Sequence, residues 1–158
     1  LGQIDATIYI QKPVLNDIPL MCAMVAEEVQ KGLILPRSPE EMATSIRSYF
    51  IAKQSENIVG FCALHIYSPT LGEVRSLVVN ERYRRQGIAR KLVDSVLSEG
   101  GTLGLKEFLV LTYCDGLFRK LGFEVIEKSL LPDHKIWADC IKCKRFPICE
   151  EIALLKKL

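Results

Sequence analysis

Residues 73–97 read EVRSLVVNERYRRQGIARKLVDSVL, and the junction inside this stretch decides the fold. The apolar run GEVRSLVVN, residues 72–80, reads as a strand. Then comes a basic turn with a single glycine, Arg84-Arg85-Gln86-Gly87. Ala89, Leu92, Val93 and Val96 follow at i, i+3, i+4 and i+7, which predicts a helix from Gly87 to about Glu99. A helix N-terminus carries about half a positive charge and several N–H groups with no intrahelical acceptor. Consecutive amides in a turn form a concavity that suits anions. Gly87 lets a ligand approach the backbone with no Cβ in the way, and Arg84, Arg85 and Arg90 add positive potential. The junction therefore suits a pyrophosphate. An ordinary helix start with solvated arginines has the same residues, so the physics alone leaves both readings open. It is neither a Walker loop, lacking Gly-Lys-Ser/Thr, nor a dinucleotide fingerprint, having one glycine where three are needed.

Working outward, ATIYIQK alternates like a strand and Pro13 ends it. Asn16 or Asp17 can cap a helix to about Lys31, with Ile18, Met21, Cys22, Val25 and Val29 on one face. Ser38, Pro39 and Glu41 form a capping-box start for a second helix to about Tyr49. FIAKQ and IVGFCALHIY are two strands joined by the polar SEN. Beyond the 73–97 stretch, GGTLG reads as a loop, EFLVLTY as a buried strand, CDGLFRKLG as a short helix and FEVIEKSL as a strand. Propensity alone makes EEIALLKKL a helix, although so short a pattern does not decide it. This order predicts an α/β (α+β) fold: a mixed sheet with helices on both faces.

The 158 residues suit one domain, spanning 1–158. A chain of this length buries roughly two thirds of its unfolded surface, enough for a core without staples. A net charge of +2 is too small to argue for nucleic acid or a membrane surface as the main partner. No apolar run approaches the roughly 20 residues of a membrane span, and LGQIDATIYI lacks a signal-peptide pattern. The expectation is a cytoplasmic protein whose six cysteines are reduced thiols. Cys140, Cys143 and Cys149 cluster, with His134 upstream, as Cys-x2-Cys-x5-Cys. A zinc site is sterically conceivable there. A strong zinc signature needs two Cys-x2-Cys knuckles, so packing thiols and no required metal are expected. Trp137 beside the cluster is read as an anchor for that loop.

RRQGIA, residues 84–89, resembles the Arg/Gln-x-x-Gly-x-Gly/Ala signature of the GNAT family of N-acetyltransferases. LFRKLGFEVIE is similar to that family's second recurring stretch, and the element order matches. The resemblance implies the GNAT acyl-CoA acyltransferase fold, with a mostly antiparallel sheet, and acetyl-CoA as co-substrate. It implies that Leu77, Val78 and Val79 line the pantetheine arm on a strand that parts from its neighbour. Arg84, Arg85, Gln86, Gly87, Ile88, Ala89 and Arg90 would hold the pyrophosphate. It also implies a final strand, so IALLKKL is expected to pair beside FEVIEK despite its helical propensity.

Acetyl transfer to an amine needs a base, a donor for the developing oxyanion and a proton for the departing thiolate. Glu73 is the candidate base. It matches a glutamate position of the family, and lying six residues before Val79 it is expected to face the same side. A solvated charge at a strand start would look the same in sequence. The Val79 N–H is the oxyanion donor that the resemblance implies. The family's usual acid, a tyrosine, is Phe118 here, which has no proton to give and is carried over only as a cofactor contact. Tyr113 is the substitute acid, with water the alternative. Cys114 near a helix start lacks a clear His partner, which argues against a cysteine nucleophile.

Arg75 shares strand parity with Glu73 and could clamp a carboxylate. Arg37, in LPRSPEE, lies where the family lines its acceptor side. LPRSPEEM, GEVRSLVV, VLTYCDGLFRKLGF and LLPDHKIWADCIKCKRFPICEEIAL together look most like the short single-domain bacterial N-acetylglutamate synthases. That resemblance implies acetylation of the α-amine of L-glutamate, in arginine biosynthesis, with Arg37 and Arg75 on its carboxylates. Long-form synthases carry a further amino-acid-kinase domain that binds arginine. The chain length leaves no room for one, so feedback by arginine stays open. Acetylation of another small or peptide amine, or non-catalytic acyl-CoA binding, remains an alternative, and an exposed edge strand leaves a homodimer open.

Overall fold

The computed structural model describes residues 7–32, 36–131 and 151–158. Strands β1 (Tyr9–Gln11), β2 (Tyr49–Gln54), β3 (Asn57–Ile66), β4 (Leu71–Val79), β5 (Glu107–Thr112), β6 (Glu124–Ile126) and β7 (Ile152–Lys157) form one sheet in the order β1-β2-β3-β4-β5-β7-β6. Among the described residues only β4 and β5 pair in parallel, and the other pairs are antiparallel. Helices α1 (Ile18–Gln30) and α2 (Pro39–Thr44) cover one face with Met21, Met42, Tyr49, Ile51 and Phe61. Helices α3 (Ile88–Leu103) and α4 (Gly116–Lys120) cover the other, with Leu92, Val96, Phe108 and Phe118. The mixed sheet with helices on both faces is the expected class.

Local chemistry explains most boundaries. Ser38 Oγ accepts from the Glu41 N–H at 3.1 Å, so the predicted cap holds α2. The Asp17 carboxylate does not cap α1; it turns back to accept from the Val14 N–H at 2.8 Å. α2 ends at Thr44, short of the expected Tyr49: a 3-10 turn over Ile46–Ser48 intervenes, and Tyr49 opens β2. The strand expected over FEVIEKSL is only Glu124–Ile126, and a 3-10 turn at Lys128–Leu130 replaces its end.

Packing decides two further elements. α3 runs through Gly100 and Gly101 to Leu103, where a loop was expected. Gly100 is buried against Phe108, and a Cβ there would lie 2.4 Å from the Phe108 ring. Its missing side chain lets α3 sit on β5, a packing need that the sequence disguises as a loop. The 152–157 tail is a strand. It inserts between β5 and β6, pairing Leu109 with Leu155 and Val125 with Leu154. Two ladders of hydrogen bonds outweigh its helical propensity, as the resemblance implied.

A β-bulge in β4 matters more for the site. Ala63 pairs with Arg75, but Phe61 pairs with Val78, so β4 carries one residue more than β3 across this interval. Ser76, at φ 58°, takes up the extra step. The alternation therefore flips. Glu73 and Arg75 face the α1/α2 side, whereas Val79 packs toward the α3 core. The expectation that Glu73 and Val79 share a face is overturned.

Candidate functional site

β4 and β5 pair only where Leu71, Gly72 and Glu73 meet Glu107, Phe108 and Leu109. Beyond that row β4 continues to Val79 and β5 to Thr112 without pairing, so the sheet opens at its middle. The Asn80 N–H donates to Val59 O at 2.8 Å, toward β3. Backbone groups alternate along a strand, so the N–H of Val79 points to the open edge. Arg84 Nε donates to Val79 O at 3.3 Å and braces that end of the strand. Val78 is buried on the α1 side, and Leu77 and Val79 pack toward α3, so these three offer the cleft their backbone more than their side chains.

The chain then turns through Glu81–Tyr83 and reaches α3 by two left-handed residues, Arg85 at φ 67° and Gly87 at φ 78°. The helix ladder starts where the Lys91 N–H meets Gly87 O at 3.1 Å. The amides of Ile88, Ala89 and Arg90 precede it and have no intrahelical acceptor. A Cβ built on Gly87 meets nothing within 4 Å, so the space beside this turn is open. Arg84, Arg85, Gln86 and Arg90 are exposed, and Arg90 Nε lies 4.0 Å from Asp94. Ile88 is only 1% exposed and can offer an anion nothing but its amide. An open strand edge leading to an amide-lined, arginine-ringed helix start fits the long arm and diphosphate of a coenzyme A thioester.

On the α1/α2 face, in the last row before the strands part, sits Glu73, 2% exposed. A buried unpaired carboxylate costs several kcal/mol, and here three donors converge on one of its oxygens. Tyr67 O–H donates to Oε1 at 2.6 Å, Arg75 Nη2 at 3.0 Å and Arg75 Nε at 3.2 Å. Arg75 Nη2 also donates to Tyr67 Oη at 3.2 Å, which closes a triangle. Burial, and then the neighbouring Glu73, push the Tyr67 phenol well above the ordinary tyrosine value, so it keeps its proton. Arg75 does share the face of Glu73, but its guanidinium is already engaged within the chain. Its first role is to hold Glu73, which changes the carboxylate clamp expected of it.

Beside this triangle a cleft of about 180 Å³ is lined by Cys22, Val25, Met42, Phe61 and other apolar side chains, with Arg37, Tyr49 and Ser76 as its polar members. Tyr49, Ala63 and Arg75 form one cross-strand row, so the cleft adjoins the Glu73 centre. Burial raises the Tyr49 phenol against the opposing pull of Arg37, Ser76 and Arg75, which leaves it a neutral donor at neutral pH. Arg37 thus stands at the cleft beside Tyr49.

Tyr113 follows the end of β5, with its hydroxyl shut off from solvent. Phe118 is 3% exposed and packs edge to face on Phe123, at 5.3 Å between centroids and 80°. Its ring is part of the core beneath α3 and α4. Cys114 is exposed, whereas Cys62 is buried, with its thiol pushed up to about 12 by burial. Cys140, Cys143, Cys149, His134 and Trp137 lie outside the described residues. Among the described residues no group of three or more His, Cys, Asp or Glu could hold a metal, and no helix is long and apolar enough to cross a membrane.

Sequence reasoning missed Tyr67, Tyr49 and Ser76. The first had a signal: with His65 opposite Glu73 in the β3–β4 hairpin, Tyr67 is the diagonal neighbour of Glu73 on the same face. Tyr49 was hidden by its assignment to a helix end, and Ser76 by a bulge that no local pattern announces.

The comparisons with known proteins agree with this geometry. The model of the acetyltransferase (GNAT) family matches residues 23–123. An uncharacterized N-acetyltransferase of Chlorobaculum tepidum is 41% identical over 131 residues, covering 81% of this chain and 82% of that one. An amino-acid acetyltransferase of Photorhabdus laumondii is 29% identical over 80% of this chain, which spans only 29% of that protein's length. The solved N-acetylglutamate synthase of Neisseria gonorrhoeae, complexed with coenzyme A and N-acetyl-glutamate, superposes with a TM-score of 0.85 at 22% identity. That match covers 97% of this chain and 35% of the synthase. With the parted strands, the glycine-started helix and these matches together, the chain belongs to the acetyltransferase (GNAT) family.

Proposed function

We propose that the chain transfers an acetyl group from acetyl-CoA to the α-amine of an amino acid, L-glutamate, as an N-acetylglutamate synthase of arginine biosynthesis in the cytoplasm. The observation that carries this reading is a buried carboxylate, Glu73, in the last paired row before β4 and β5 part, beside a cleft that Arg37 lines. Support for the amino-acid acceptor comes from the relatives named amino-acid acetyltransferases and from the synthase complexed with N-acetyl-glutamate.

Each residue has a role. The amides of Ile88, Ala89 and Arg90, with Arg84 and Arg85, hold the diphosphate, and the open edge of β4 at Leu77, Val78 and Val79 holds the arm. When bound, acetyl-CoA supplies the activated acetyl thioester. Arg37 holds a carboxylate of the amino acid, with Tyr49 beside it as a neutral donor. Glu73 accepts the proton of the ammonium group, directly or through a water, and Arg75 holds it in place. The Val79 N–H faces the charge that develops on the carbonyl oxygen. Tyr113 returns a proton to the departing thiolate, because Phe118 has none. No metal is required for this chemistry.

Release of free thiol from acetyl-CoA, measured against a panel of amino acids, tests the reading. Turnover with glutamate is expected, and Glu73→Gln is expected to lose it by at least about 100-fold, the lower end of the usual general-base contribution, with acetyl-CoA affinity kept. An unchanged rate in Glu73→Gln refutes the base. Turnover on peptide amines alone refutes the amino-acid acceptor. Binding without turnover on any amine would make the chain a non-catalytic acyl-CoA-binding module, the alternative that Phe118 favours.

A further inference from the structure

We propose that Tyr67 is a positioning residue for the reaction: its hydroxyl, with Arg75, locks Glu73 in one orientation and keeps it ready to accept a proton. The proposal rests on Glu73 being the base. Tyr67 lies just past β3, where its N–H donates to Leu71 O at 2.9 Å across the β3–β4 hairpin. Ser68 Oγ accepts from the Thr70 and Leu71 amides at 3.2 and 3.0 Å and stiffens the turn. The hairpin thus holds the phenol at a fixed place over the Glu73 carboxylate. There Tyr67 donates to Oε1 at 2.6 Å and accepts from Arg75 Nη2 at 3.2 Å. Its ring is held from the side by His65, edge to face at 4.7 Å between centroids.

The donor set defines the effect. Three hydrogen bonds from two side chains meet on one oxygen, two of them from a cation. Each favours the charged carboxylate over the protonated one, and hydrogen bonds to charged groups are the strong ones. Among the described residues, the charged and titratable groups facing Glu73 include Tyr67 from the hairpin turn, Arg75 from its own strand and His65 from β3. β5 presents the apolar Leu109 in the same row. Removing the phenol oxygen deprives the carboxylate of its shortest contact and Arg75 of an acceptor. A larger share of Glu73 then carries a proton at a given pH, and the carboxylate gains freedom to turn.

The test is the pH profile of kcat/KM for the wild-type chain, Tyr67→Phe, Glu73→Gln and His65→Asn, with KM for both substrates. Tyr67→Phe is expected to lower kcat about tenfold at pH 7, leave both KM values within twofold and move the acid limb up by about one pH unit. That shift is what loss of one hydrogen bond to a charged group delivers. A purely structural role would lower activity by the same factor at every pH. Where Tyr67→Phe does not fold, Tyr67→3-fluorotyrosine keeps the shape and makes the phenol a stronger donor, and the limb is expected to move down. Superimposable limbs in wild type and both Tyr67 variants overturn the proposal while Glu73→Gln still lacks activity. A limb that moves with His65→Asn and not with Tyr67 overturns it as well. If Glu73→Gln keeps wild-type turnover, the reading of Glu73 as base falls first, and the proposal with it.

Discussion

Gly87→Ala separates what the cradle does for binding from what it does for folding. Gly87 starts α3 in the left-handed region at φ 78°, and a methyl group there meets no atom within 4 Å. The substitution therefore causes no clash, and its folding penalty is the backbone term alone, about 1 kcal/mol for an L-residue held at this φ. For a chain of 158 residues that lowers Tm by about 2–4 °C. Binding responds more strongly. The methyl group enters open space at the helix start, where the diphosphate is proposed to lie. Losing two charge-assisted hydrogen bonds at about 1.5 kcal/mol each weakens binding by roughly 100-fold. Titration calorimetry with coenzyme A, paired with a melting curve, reads both effects on one sample. A Kd within threefold of wild type, with the small Tm change present, would show that the diphosphate is held elsewhere and would sink the cradle.

Two further outcomes follow from packing and burial. Gly100→Ala puts a methyl group 2.4 Å from the Phe108 ring, so despite the better helix propensity of alanine it is expected to destabilise by about 1–3 kcal/mol, visible as a lower urea midpoint; a neutral or raised midpoint would mean α3 can lift off β5. Cys62, with its thiol at about 12 in the folded chain, stays protonated where an unfolded thiol ionises. Its contribution is intact below the unfolded value near 9 and is lost as pH rises from there toward about 12. Accordingly Cys114 is expected to react with a thiol reagent at pH 8 in the folded chain and Cys62 only on unfolding, and mass mapping of the labelled sites would show a folded-state reaction at Cys62 if this is wrong.

Some of this molecule was legible in one dimension. Strong local periodicity placed the β2–β3 hairpin, β4, the start of α3 and β5, because alternation and helical spacing record which face of an element meets the core. The single glycine behind Arg84 and Arg85 marked the start of α3, because a left-handed residue at a helix start has few substitutes. Glu73, Arg75 and Arg37 could be named from their positions, and the final strand followed from the resemblance.

What the linear order withheld were outcomes of pairing between distant segments. One added residue at Ser76 changes the register against β3 and turns Val79 away from the face of Glu73, and register is a property of two strands, not of one. Gly100 looks like a loop residue until Phe108 arrives from another element to need its space. The tail prefers a helix by itself and becomes a strand because β5 and β6 both offer it hydrogen bonds. Arg75 looks free to seize a substrate until the hairpin brings Tyr67 to the same carboxylate, since a buried charge takes whatever partner the fold sets within reach before any ligand does.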